Sequence, residues 1–165
     1  MNQMNFREII KIGLHRWLLV LLLAISSVVA CSRNEAQADI LMYKNPQCGC
    51  CDKWATHLRD AGYSVEIQES GDMSGIKQKY GIEPELQSCH TAIHEESGLI
   101  FEGHVPVGHM SALIENPPSG SIGLSVPGMP VGSPGMEMGD RRDRYDILLL
   151  KRNGPPAIYA TENSD

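Results

Sequence analysis

Five cysteines occur in the 165-residue chain, and three of them, Cys48, Cys50 and Cys51, fall within four positions of the stretch "NPQCGCCDKW". A disulfide needs only two sulfurs, and a structural zinc site usually takes its thiolates from two separate arms. Cys48 and Cys51 alone form C-x-x-C, which at a helix start is a redox pair whose first sulfur is activated by the helix dipole. A c-type haem attachment is excluded, because it requires histidine where Asp52 stands. Vicinal Cys50 and Cys51 pair with each other only under strain, and a third thiol beside a simple disulfide invites exchange. A soft metal gives all three sulfurs a use. Thiolates select Cu(I), and clustered thiolates can bridge several cuprous ions, so that each sulfur serves two. On spacing alone, a disulfide and a zinc site completed by Cys89 and His90 stay open.

Imidazoles and thioethers are the other donors copper accepts, and the chain holds His90, His94, His104 and His109 together with Met110, Met129, Met136 and Met138. His90 adjoins Cys89 and is expected at the site. His104, Met129 and Met136 are secondary candidates. Met110 lies on an apolar helical face and reads as core, whereas His57, between charged neighbours, reads as solvent-facing.

The elements that must position these residues are legible from period and punctuation. "DILMY" at 39–43 is an apolar strand stopped by "KNPQ". The cysteines then lead into a helix in which Trp54, Ala55, Leu58 and Ala61 recur at helical spacing, with Gly62 as a stop signal. "YSVEIQE" alternates as a second strand, and "DMSGIKQKYGI" is a second helix capped by Asp72 and ending near Gly81. "SCHTAIHEESGLIFEG" reads as a hairpin, and a third helix follows with Pro106 in its first turn. The order βαβαββα, with the cysteines between the first strand and first helix, indicates an α/β, thioredoxin-like single domain with a Gly/Pro/Met-rich C-terminal extension. In that fold the loop entering the third strand approaches the cysteines, which would bring Cys89 and His90 beside Cys48, Cys50 and Cys51. Residues 117–139 are too rich in Gly and Pro for regular structure. Residues 144–150 return as a short strand, the domain spans 39–150, and 151–165 form a loose tail.

The first thirty residues do not belong to the domain. Arg7, Lys11 and Arg16 precede an uncharged apolar run at 18–30, the pattern of a secretory signal; it is short for a membrane span, which needs about 20 apolar residues. "VVAC" at 28–31 has the form of a lipoprotein signal in which Cys31 is acylated, with "AQA" at 36–38 as the competing cleavage site. Residues 31–38 are then a tether, membrane contact is through the lipid anchor alone, and the expected location is the periplasm, on the outer membrane. The whole chain has net charge −6, and removing the basic leader leaves a more acidic remainder, a poor surface for nucleic acid.

"CGCC" after "ILMYKNP", then "SCHT", "EGHVP", "GLSVPGMPVGSPGMEMG" and "YDILLL", closely resemble the CopG-type copper-binding proteins of the bacterial cell envelope, over about residues 39–150. The resemblance implies a thioredoxin-like fold in which Cys48, Cys50 and Cys51 bind copper together with Cys89 and His90. It also implies a part in copper resistance, with interconversion of Cu(I) and Cu(II) as a suggested redox role. Two other functions are compatible with the residues: a thiol-disulfide oxidoreductase working through Cys48 and Cys51, and a copper chaperone serving an efflux system or another periplasmic copper protein.

Overall fold

The computed structural model describes residues 38–164; the signal segment, Cys31 and nearly all of the tether lie outside the described residues. The chain begins with strand β1 (Ile40–Lys44), helix α1 (Gly49–Asp60), strand β2 (Val65–Glu69) and helix α2 (Met73–Lys79). A single 3-10 turn at Pro84–Leu86 leads to β3 (His90–His94), β4 (Ile100–Glu102) and helix α3 (Val107–Glu115). Three further strands close the domain: β5 (Ser121–Ser125), β6 (Tyr145–Lys151) and β7 (Ala157–Glu162). All seven strands form one mixed sheet in the order β2-β1-β3-β4-β5-β6-β7. The pairs β1/β2 and β4/β5 are parallel, each joined by a crossover helix, and the other pairs are antiparallel.

The larger core lies between the sheet and helices α1 and α3. Trp54, Leu58, Met110 and Leu113 pack there against Ile40, Met42, Ala92, Phe101, Leu124 and Ile147, all without solvent exposure. Burial of each large apolar side chain contributes about 1.5–3 kcal/mol before conformational entropy is counted. A smaller cluster, Ile82, Leu86, Ile100 and Leu150, occupies another patch of the sheet. Asp72 caps α2 as its position in the sequence implies, its carboxylate accepting the Gly75 N–H at 2.8 Å. Pro106 stands at the N-cap of α3, just ahead of its first turn.

Two expectations are corrected. The segment 117–139 is not wholly irregular, because β5 runs through it. Leu124 in β5 and Val126 just after it are buried in the larger core, and Gly123, at φ +154°, leaves room for the β4 backbone to approach where any Cβ would strike Ile100. The stretch 151–165 is not a loose tail either. β7 pairs antiparallel with β6 through a turn containing Asn153-Gly154, so the sheet extends past residue 150.

Candidate metal centre

The three clustered cysteines sit at the N-terminal end of α1. Asn45 starts the turn that delivers them: its carbonyl accepts the Cys48 N–H at 3.0 Å, its side chain accepts the Gln47 N–H at 2.9 Å, and Pro46 pre-sets the bend. Cys48 is the N-cap, so Cys50 and Cys51 fall in the first helical turn, among backbone N–H groups that have no intrahelical acceptor. Lys44, buried at the end of β1, anchors the same junction by reaching Asp52 at 3.0 Å and Glu69 at 3.4 Å.

Cys48 and Cys51 are joined as a disulfide with their Cα atoms 5.5 Å apart. Cys50 Sγ lies 3.5 Å from Cys48 Sγ, and Cys89 Sγ lies 3.4 Å from Cys51 Sγ. The sulfurs of Cys48, Cys50, Cys51 and Cys89 are all within 4.8 Å of one another. Cys89 also belongs to a second group of the same compactness, with His90 and His104. One sulfur is therefore common to a four-sulfur set and to a set of one sulfur and two imidazoles.

Both histidines are completely buried. His90 Nδ1 lies 3.4 Å from Cys89 Sγ, while its Nε2 has no hydrogen-bond partner among the described residues. A buried ring nitrogen without a partner is costly, and a metal ion is one way to satisfy it. The indole of Trp54 lies against the His90 ring at 4.3 Å between centroids and is held there by its own N–H, donated to the Val105 carbonyl at 2.9 Å.

His104 has a defined tautomer. Its Nδ1 is 2.7 Å from the Pro134 carbonyl, an acceptor only, so Nδ1 carries the proton. The lone pair is then on Nε2, which lies 3.0 Å from Cys89 Sγ. Donation of the N–H on the ring nitrogen opposite the ligating one to a backbone carbonyl is the usual support of a metal-binding imidazole.

Electrostatics set the protonation states of the metal-free site. Burial, reinforced by neighbouring Cys50, pushes the Cys89 thiol up to about 12. Burial likewise holds His90 well below its ordinary value, helped by His104 and Lys77, and lowers His104 against the opposing pull of the Pro134 carbonyl. At neutral pH the site thus offers a protonated Cys89 and two neutral imidazoles.

Pro134 belongs to the Gly/Pro/Met-rich segment, which lies across the start of α1. Consecutive turns at Pro130–Ser133 and Ser133–Met136 place Gly132 and Gly135 at positive φ. A Cβ on Gly135 would lie 2.6 Å from the Cys50 carbonyl oxygen and 2.9 Å from Trp54 N, so only glycine permits this approach. Glu137 fastens the segment, its Oε1 taking the Gly135 N–H at 2.9 Å and lying 2.7 Å from His57 Nε2.

The structure brings Cys48, Cys50, Cys51, Cys89, His90 and His104 together. His94, at the far end of β3, bonds to Ser97, and His109 pairs with Glu162 on β7. Met110 is core, as its helical position implies, and His57 is half exposed but partnered by Glu137. Met129 and Met138 are exposed and Met136 is half-buried. The Pro134 carbonyl and the Trp54 indole were outside the sequence reading of the site, the first because a backbone acceptor has no residue-type signature. "SPG" ahead of a glutamate was the available signal of a tight turn.

The family model described as "Protein of unknown function, DUF411" matches residues 86–136, the stretch from the Cys89 arm through the Pro134 turn. No curated protein sequence matches. Two solved structures of copper resistance protein CopG are similar to the chain, each at 40% identity. Form 1 has a TM-score of 0.70, with 76% of this chain and 97% of that chain covered; form 2 has 0.69, with 74% and 95%. With that identity across nearly the whole of both relatives, and with a cysteine cluster that fits copper, the chain belongs to the CopG copper resistance family.

Proposed function

We propose that the protein binds Cu(I) through Cys48, Cys50, Cys51 and Cys89, with His90 and His104 as nitrogen ligands, and contributes to copper resistance in the bacterial cell envelope. The observation that carries this reading is the compactness of the two donor sets around a shared Cys89. Four sulfurs exceed what a disulfide needs, and a thiolate common to two sets is the arrangement that bridges metal ions. The histidine nitrogens extend the set toward a more oxidised ion, which supports interconversion of Cu(I) and Cu(II) at the same place. With the Cys48–Cys51 disulfide formed, two of the four sulfurs are withheld. Reduction by two electrons therefore precedes full loading. A secretory leader and acylation of Cys31 would place the domain on the periplasmic side of a membrane.

The test is metal analysis of reduced protein loaded anaerobically with cuprous ion, with X-ray absorption at the copper edge. More than one copper per chain with predominantly sulfur neighbours is expected. A site that takes zinc and leaves copper in solution would end the reading.

The disulfide itself favours a second reading, a thioredoxin-like thiol-disulfide oxidoreductase acting through Cys48 and Cys51. Cys50 distinguishes the two, because redox cycling needs two sulfurs and a copper cluster needs the third.

A further inference from the structure

On the face of the sheet toward α2 lies a buried ion pair with no place in the donor sets. Glu102, at the end of β4, has no solvent exposure, and Lys77 of α2 is 4% exposed. Lys77 Nζ donates to Glu102 Oε1 at 2.5 Å and to Thr91 Oγ1 at 3.1 Å, and Thr91 Oγ1 donates to Glu102 Oε2 at 2.6 Å. Removing two opposite charges from water is costly, and an apolar pair of similar volume often serves stability as well. The pair therefore asks for a reason beyond packing.

That reason is the third contact of the carboxylate. Glu102 Oε1 also accepts the backbone N–H of Ser88 at 2.6 Å, and Ser88 immediately precedes Cys89. Gly103, next in the chain, has φ +73° and breaks the alternation of the strand, so that Glu102 meets α2 while His104 meets Cys89 and His90. A Cβ on Gly103 would strike the Ser88 side chain and lie 2.6 Å from the Val126 carbonyl oxygen, which shows how closely the two segments approach. The carboxylate is saturated by Lys77, Thr91 and Ser88 and has no part in holding a metal.

We propose that Glu102, oriented by Lys77 and Thr91, is a positioning residue for Cys89. From beneath the sheet it fixes the backbone ahead of the one sulfur common to both donor sets, so that Cys89 is in place before copper arrives. The inference rests on the reading of Cys89 as a copper ligand.

Two paired variants isolate the acceptor. Lys77→Met with Glu102→Gln removes the charges but keeps an oxygen for the Ser88 N–H; Lys77→Met with Glu102→Leu removes that oxygen as well. Both are titrated with cuprous ion against a chromophoric chelator, with folding followed by circular dichroism and sulfur neighbours by X-ray absorption. The glutamine pair is expected to bind within about threefold of the unaltered protein, and the leucine pair to be folded yet at least about tenfold weaker, with fewer sulfurs per copper. Equal affinity and equal sulfur count in the two folded variants would overturn the proposal. If the leucine pair does not fold, hydrogen exchange of the unaltered, metal-free protein decides: the Ser88 amide should exchange as slowly as the amides of β3, and exchange at the rate of an open loop would overturn it. An unaltered protein that binds no copper would sink the functional reading, whereas the Ser88 amide tests the anchoring by Glu102 independently of metal.

Discussion

His104 Nε2 lies 3.0 Å from Cys89 Sγ, with its lone pair turned to the sulfur because Nδ1 is committed to the Pro134 carbonyl. A neutral imidazole facing a protonated thiol is a site that must lose a proton to gain a metal. Since burial pushes Cys89 up to about 12, its thiol is protonated throughout the neutral range, and both histidines are already neutral there. The first copper ion that takes Cys89 as thiolate therefore displaces that proton. Cuprous affinity should rise with pH, by about tenfold per unit for one coupled proton. Competition titrations at about pH 6, 7 and 8, with calorimetry in buffers of different ionisation enthalpy, measure the slope and the proton count. A flat profile would contradict the assigned protonation states.

Cys50 is the sulfur that a simple C-x-x-C pair leaves over. Cys50→Ser should leave the Cys48–Cys51 disulfide intact while lowering the copper bound per reduced chain. Thiol titration before and after reduction, together with metal analysis, checks both halves. Full copper loading by the variant would shift the balance to the oxidoreductase reading.

The turn over α1 offers a test of support without touching a ligand. Gly135→Ala places a methyl group against the Cys50 carbonyl and Trp54 N at a position with φ +86°. The cost is expected to be about 1–3 kcal/mol of stability, read by urea denaturation of the reduced, metal-free protein. Copper affinity should fall as well, because the Pro134 carbonyl can no longer hold the His104 tautomer.

Asp72→Ala serves as the control. Loss of the cap on α2 should cost about 1 kcal/mol in the same denaturation experiment. Copper stoichiometry should be unchanged, since Asp72 caps α2 rather than the cysteine turn.

The order of elements as far as α3 is legible because each is encoded locally: alternation in "YSVEIQE", helical spacing from Trp54 to Leu58, and a turn between Ile93 and Leu99. Cys89 and His90 could be placed near the cysteines only through the topology those elements imply. The later part was harder to read for a physical reason. Gly123 and Gly135 look like breakers, yet each permits a close approach to a backbone distant in sequence, an interaction no local period reports. β7 is hard to read for another reason: "AIYATE" follows two prolines and has no apolar-polar alternation, its burial being intermediate nearly throughout. Lys77 and Glu102 gave no signal at all, since charged residues on a short helix and at a strand end ordinarily face water.

Because Cys89 is a corner of both donor sets, the two cannot be filled as independent equilibria. If the proposed cluster forms, the work of drawing the proton off the half-buried Cys89 thiol is done by the first ion, and the next ion meets a sulfur already ionised. Loading should then be sigmoidal, with singly occupied molecules scarce at half saturation. Such a protein would pass from empty to full over a narrow range of free copper and behave as a threshold device.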